Sequence, residues 1–219
     1  GILALYALLR RLKSKWIYIL AIIGASTLLA DGIITPAITV TTAIEGLEGI
    51  SPDLPVIPIT LAIITIIFFV QRFGTESIGK GFGVFMLLWF LLLGVVGAIS
   101  ITSYPMILKA FNPYYAIVLL AQSPEWFLIL GAVFLCTTGA EALYSDLGHC
   151  GRKNITISWA FVKTMLILNY LGQGAWVLNH ADTALAVNPF FAIMPQSMLF
   201  FAIIMATGAA IVASQALIS

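Results

Sequence analysis

Residues 16–44, WIYILAIIGASTLLADGIITPAITVTTAI, decide the fold class of this chain. Asp31 is the single charged side chain within an apolar run that is otherwise interrupted only by small and hydroxyl residues. A transmembrane helix needs about 20 mostly apolar residues to cross roughly 30 Å of hydrocarbon. The run is longer than that, and it lacks the alternation of outer-membrane strands. It therefore predicts a membrane-spanning helix.

Five more apolar stretches predict further spans at 56–70, 82–101, 126–144, 155–178 and 198–218. The 56–70 span is short unless Pro55 and Pro58 lie in its first turn, where proline is tolerated. Residues 113–123 fit either a short interfacial segment or an ordered loop. We predict an all-α, polytopic membrane protein in which residues 1–219 form a single transmembrane domain of about six helices.

The composition of the whole chain excludes other classes of protein. Of its 219 residues, 61% are hydrophobic and 9% are charged, whereas soluble domains are typically about 25% charged. Ten basic against nine acidic residues leave no basic face for nucleic acid. The two cysteines lie far apart, the two histidines fall in predicted loops, and no HExxH or GxSxG pattern occurs. We therefore expect no enzyme and no cofactor.

The distribution of charge indicates the orientation of the spans. If the N-terminal end is cytoplasmic and the spans alternate, the inside segments hold Arg10, Arg11, Lys13, Lys15, Arg72, Lys80, Arg152 and Lys153. The outside segments then hold only one basic residue, Lys109. This asymmetry follows the positive-inside rule, so we expect the N-terminal end in the cytoplasm. Lys163 falls within a span, where its amine could snorkel or pair with a carboxylate.

Acidic residues inside a span are the first candidates for a functional site, because an ionisable group at the bilayer centre costs about 2.5–3.5 kcal/mol on insertion scales. Asp31 lies near the middle of the first span, and Thr35 shares its helix face. Pro36 weakens the helix and releases a carbonyl oxygen beside the carboxylate. Such oxygens are ligands for hard cations, and a desolvated carboxyl group could also carry a proton.

The fourth span repeats this pattern around Glu141, three residues after Thr138. Gly139 favours a break in the helix, and broken helices near the midplane are how secondary transporters build ion sites. Tyr144 and Asp146 make the second half of this span polar, although Asp146 also fits a helix cap or an ion pair.

Two alternatives stay open for the polar residues. A buried acid at Asp31 or Glu141 could be a protonated structural lock between helices. A second set could line a pathway or simply join helices by hydrogen bonds. Its members are Asn169, Tyr170, Gln173, Ser214 and Gln215.

Motifs along the whole chain resemble, in order, the third to eighth helices of the Kup/HAK/KT potassium uptake permeases. They are GIITPAI at 32–38, AIEGL at 43–47, QRFGT at 71–75, EALYSDLGH at 141–149, NYLGQGA at 169–175 and ASQALIS at 213–219. The resemblance implies the amino acid–polyamine–organocation transporter fold, with inverted repeats and broken helices. It also implies potassium uptake coupled to protons, and a location in the cell membrane.

The resemblance assigns Asp31, Thr35, Thr138 and Glu141 to the potassium and proton pathway. Tyr144, Asp146 and Tyr170 are secondary candidates for the pathway from their polar side chains alone. Its ligands and partners would be potassium, protons, the lipid bilayer and the remaining permease helices, including the first broken helix, with a homodimer left open. We expect an incomplete fold, because the family's Tyr-Gly-Asp-Ile-Gly-Thr motif is absent, the chain starts at Gly1, and it stops just after a helix. A potassium channel and an amino-acid transporter of the same superfamily are the alternatives.

Overall fold

All regular structure in the computed structural model is helical across the residues it describes: 6–7, 9, 15–46, 55–71, 79–136, 151–182 and 187–218. The helices are α1 Lys15–Glu45, α2 Val56–Gln71, α3 Gly79–Ser103, α4 Pro113–Gln122, α5 Trp126–Leu135, α6 Arg152–Asn179, α7 Pro189–Ala192 and α8 Leu199–Ile218. Two short 3-10 helices lie at Pro105–Phe111 and Gln196–Met198. The predicted all-helical class is thus confirmed for this part of the chain, and the inverted-repeat arrangement stays a prediction.

Four helices of the described part are long and apolar enough to cross a membrane: Lys15–Glu45, Gly81–Ser103, Arg152–Asn179 and Gln196–Gln215. They coincide with four of the six predicted spans. Helix α2 starts where its span was predicted but has only 16 residues. Helix α5 is described for ten residues, and the rest of the predicted 126–144 span lies outside the described residues.

Local sequence explains where several helices begin. Asn112 caps α4 by accepting a hydrogen bond from the Tyr114 N–H at 3.0 Å, and Pro113 occupies the first turn, where its missing N–H costs nothing. The 113–123 segment is therefore an ordered helix and not a loop. Helix α6 begins after Gly151, whose φ of 77° favours glycine.

The chain divides into two compact units, Gly1–Phe82 with Ile203–Ser219 and Gly83–Ala202. In the first unit α1 packs against α2, and α1 buries one face made of Pro36, Val40, Ala43 and Ile44. These positions recur at helical spacing, so a single stripe of α1 is covered while most of its apolar surface stays exposed.

In the second unit, α3 and α6 cross where two glycines meet. A Cβ added to Gly97 would lie 2.4 Å from the Leu168 carbonyl oxygen, and one added to Gly172 would lie 2.6 Å from the Gly97 Cα. The Ser100 hydroxyl donates to the Gly172 carbonyl at 2.8 Å across the same crossing. Small residues and interhelical hydrogen bonds are what hold helices together in a bilayer, so these contacts join α3 to α6.

Candidate ion-binding site

The candidate site begins with the backbone of α1, which stays α-helical from Lys15 to Glu45 with Pro36 inside it. Because proline has no N–H, the carbonyl oxygen of Gly32 loses the donor that an α-helix would supply four residues on. The helix nevertheless continues past Pro36. A carbonyl oxygen that lacks its usual helical donor therefore lies one residue after Asp31. A side chain at residue 32 would meet no atom within 4 Å, so this part of α1 faces open space.

Asp31 and Thr35 are joined directly. The Thr35 hydroxyl donates to Asp31 Oδ1 at 2.5 Å, and both side chains are half-buried. This confirms the prediction that the two residues share one face of the helix. A hydroxyl that donates its proton to a carboxylate keeps its oxygen lone pairs, so the pair presents two oxygens on one side of α1.

The second carboxylate oxygen, Asp31 Oδ2, is buried and accepts no hydrogen bond from the residues that the structure describes. Two more side-chain oxygens of the same compact unit share this property, Thr60 Oγ1 on α2 and Gln215 Oε1 on α8. A buried oxygen without a partner is costly, and most of all on a carboxylate. Asp31 Oδ2 is therefore suited to a bound cation or a proton, either of which would remove the cost.

Two threonines that follow Thr35 in α1 behave differently from it. The Thr39 hydroxyl donates to the Thr35 carbonyl at 2.7 Å, and the Thr41 hydroxyl donates to the Ala37 carbonyl at 2.8 Å. Both satisfy the backbone of their own helix, as threonines in apolar helices commonly do. Thr35 differs because it bonds a carboxylate.

The structure describes only part of the predicted site. Thr138, Glu141, Tyr144 and Asp146 lie outside the described residues, so their roles stay predictions. Tyr170 lies on α6 with 47% of its surface exposed. Within the described ranges, no three His, Cys, Asp or Glu side chains cluster as a metal site would require.

Of the polar residues with open roles, several take part in helix packing. The Asn169 amide donates to the Leu93 carbonyl on α3 at 3.3 Å and accepts from the Gln173 amide at 2.5 Å. The Ser214 hydroxyl bonds the Ala210 carbonyl of its own helix. Gln215 keeps an unpartnered oxygen and so remains a candidate for the pathway.

Thr60 is the buried polar residue that the sequence analysis missed. It is 5% exposed and lies one turn into a mostly apolar helix. The available signal was a hydroxyl residue soon after the prolines at the start of α2. That signal is weak, because a threonine in such a helix usually bonds its own backbone.

Comparison with known proteins places the whole chain in one group. Residues 1–219 match the family described as "K+ potassium transporter integral membrane domain". Proteins named "Probable potassium transport system protein Kup" from Flavobacterium psychrophilum and Flavobacterium johnsoniae are each 53% identical over all of this chain. One of the same name from Enterococcus faecalis is 54% identical, again over all of it.

The chain spans about a third of the length of these curated relatives, 34% or 35% in each case. No solved structure matches it. The family match extends from the first residue to the last, and it includes the α1 segment that carries Asp31 and Thr35. The chain therefore belongs to the family of K+ potassium transporter integral membrane domains.

Proposed function

We propose that this chain forms part of the ion pathway of a potassium permease that takes up potassium together with protons. The observation that carries the proposal is the Asp31 carboxylate, which lies inside a span-length helix with Oδ1 held by Thr35. Its Oδ2 is buried and has no partner within the described ranges of the chain. Its setting is a cell membrane, with the N-terminal end of the chain in the cytoplasm and the other helices of a larger permease around it. These helices include a broken first helix. A homodimer is compatible with the proposal.

In this proposal potassium exchanges its hydration shell for protein oxygens, as ions do in selective pores. Asp31 Oδ2 supplies negative charge, and the Thr35 hydroxyl adds a neutral oxygen beside it. Thr138 and Glu141 are proposed to contribute a second carboxylate and hydroxyl. Tyr144, Asp146 and Tyr170 are secondary positions along the pathway.

Proton coupling would follow from the same carboxylates. Protonation of a carboxylate removes negative charge that attracts potassium, so the binding of the two ions is linked thermodynamically. We assign the coupled proton to Glu141, and Asp31 then remains the cation ligand. Alternating access would move the bundle that contains the predicted fourth span, with Glu141, against the bundle that contains the fifth.

The test is rubidium uptake into proteoliposomes that contain the complete permease carrying this segment, with and without an inward proton gradient. The variants are Asp31→Asn and Glu141→Gln. The matched control is Glu45→Gln, which removes an exposed carboxylate from the C-terminal end of the same helix. We expect uptake stimulated by the gradient, lost in both variants and retained in the control.

Two other outcomes would replace the proposal. Uptake that ignores the gradient would indicate a channel that conducts potassium without proton coupling. Currents driven by amino acids in the absence of potassium would indicate an amino-acid transporter of the same superfamily. Unchanged uptake in Asp31→Asn would remove α1 from the ion pathway.

A further inference from the structure

Helix α6 carries two tryptophans that mark where it meets the surfaces of the membrane. Trp159 and Trp176 are seventeen residues apart, which corresponds to a rise of about 25 Å at 1.5 Å per residue. This is close to the roughly 30 Å thickness of the hydrocarbon, and tryptophan is enriched at both membrane–water interfaces. Trp159 therefore lies near one interface, with Arg152 about two turns farther out.

Lys163 lies one turn inside this interface, and its amine turns back toward it. The side chain is exposed, and Nζ lies 5.3 Å from the centre of the Trp159 ring. That contact extends toward the N-terminal end of α6, which is the direction side chains take along a helix. In the described part of the chain the Trp159 ring is the one partner of this amine, and no carboxylate lies within salt-bridge distance.

Arg152 lies on the same face of the helix as Lys163. Eleven residues separate them, which places their Cα positions within about 20° of each other around the axis. Arg152 is exposed, Trp159 between them is half-buried, and the Thr156 hydroxyl bonds the Arg152 carbonyl. Helix α6 contains no acidic residue. The face is therefore positive from the aqueous end of the helix to one turn inside the hydrocarbon.

We propose that Arg152, Trp159 and Lys163 form a binding site for the headgroup of an anionic phospholipid. The depth of Lys163 selects a lipid over a soluble anion, because its amine lies at the level of the glycerol esters and the inner phosphate oxygens. Arg152 lies about two turns farther out on the same face, where its charge adds to the attraction of the anionic headgroup, and the Trp159 ring lies beside the Lys163 amine. A basic residue near an anionic surface contributes about 1 kcal/mol, which corresponds to a fivefold change in binding.

The test uses the complete permease carrying this segment, in a variant that keeps Trp159 as its single tryptophan. Trp16, Trp89, Trp126, Trp176 and every tryptophan outside the segment are replaced by phenylalanine. The variant is placed in phosphatidylcholine vesicles that contain brominated phosphatidylglycerol or brominated phosphatidylcholine. Quenching of Trp159 fluorescence gives the relative binding of the two lipids. We expect a preference for phosphatidylglycerol that falls about fivefold in Lys163→Gln and again in Arg152→Gln.

Two further variants separate this site from a general attraction of charge. Lys163→Arg keeps a cation and should keep the preference. Lys109→Gln removes an exposed lysine from another part of the chain and should leave it unchanged. Native mass spectrometry of retained phosphatidylglycerol, on the complete permease with all its tryptophans, repeats the comparison without the phenylalanine substitutions.

An unchanged lipid preference in Lys163→Gln by both methods would overturn the proposal. That result is expected if the amine instead pairs with a carboxylate of another helix. A preference that falls equally in Lys109→Gln would also overturn it, because the attraction would then be one of net charge. Neither readout depends on ion transport, so the proposal stands or falls separately from the proposed function.

Discussion

The proposed ion site depends on the hydrogen bond that the Thr35 hydroxyl donates to the Asp31 carboxylate. It holds Oδ1 on the helix face and leaves Oδ2 for the ion. Thr35→Val keeps the shape of the side chain but removes the donor. Hydrogen bonds to charged groups contribute about 1.5–3 kcal/mol, so we expect the rubidium concentration at half-maximal uptake to rise about tenfold or more. Uptake into proteoliposomes of the complete permease measures it.

Thr41→Val is the matched control for this substitution. Its hydroxyl bonds the Ala37 carbonyl of the same helix, so its loss should change half-maximal uptake less than twofold. If Thr35→Val and Thr41→Val changed half-maximal uptake equally, Thr35 would act like a threonine that only bonds the backbone of its own helix. The role of Thr35 in the site would then be contradicted.

The sequence identifies a candidate site residue when the chemistry of its side chain conflicts with its surroundings. Asp31 is the single charge in an apolar run, and the helical repeat then identifies Thr35 as its neighbour. Thr60 offers no such conflict, because a threonine in an apolar helix can bond its own backbone, as Thr65 does with the Leu61 carbonyl at 2.7 Å. Only the fold shows that the Thr60 hydroxyl lacks a partner.

Between elements, the glycine crossing of α3 and α6 gives the sharpest prediction for stability. A Cβ on Gly97 would lie 2.4 Å from the Leu168 carbonyl oxygen and 2.6 Å from backbone atoms of Asn169, so neither helix could yield without moving its backbone. We expect Gly97→Ala to destabilise the protein by about 1–3 kcal/mol. A lower midpoint of thermal unfolding in detergent, followed by circular dichroism, would show it.

Gly131→Ala is the control for this prediction. Gly131 lies within α5, and a Cβ there would meet no atom within 4 Å. Alanine favours a helix over glycine by about 0.5–1 kcal/mol, so the midpoint should stay constant or rise slightly. A Gly97→Ala protein that unfolds at the original temperature would show that the crossing tolerates a methyl group.

The helices themselves were predictable because length and apolar composition decide them. The predicted 155–178 span and the observed Arg152–Asn179 differ by three residues at one end and one at the other. The crossing was not predictable, because glycine in a membrane helix is compatible with packing, bending or exposure alike. The role of a glycine depends on whether another helix covers its face. Gly97 and Gly172 are far apart in sequence, so the sequence does not show that they meet.

For the molecule as a whole, the charge distribution predicts which loops face the cytoplasm. Lys109 should lie outside and Lys153 inside, because basic residues concentrate on the cytoplasmic side. With Cys136 and Cys150 replaced by serine, Lys109→Cys should react with a membrane-impermeant maleimide in intact cells. Lys153→Cys should react only after permeabilisation. The reverse pattern would invert the predicted topology.

The extent of the family match allows a test of function in a molecule of the relatives' size. The chain aligns over its whole length with about a third of the Flavobacterium psychrophilum protein, at 53% identity. Helix contacts in a bilayer depend on close packing, so a segment whose packing faces match should be accepted by the rest of the protein. We expect a chimera with this chain in place of the matching third to restore growth at low potassium in cells that lack potassium uptake, provided that the parent relative does so.

The chimera carrying Asp31→Asn should insert in the membrane equally well but fail to restore growth. Growth of the Asp31→Asn chimera equal to that of the unaltered one would show that the permease transports potassium without this carboxylate.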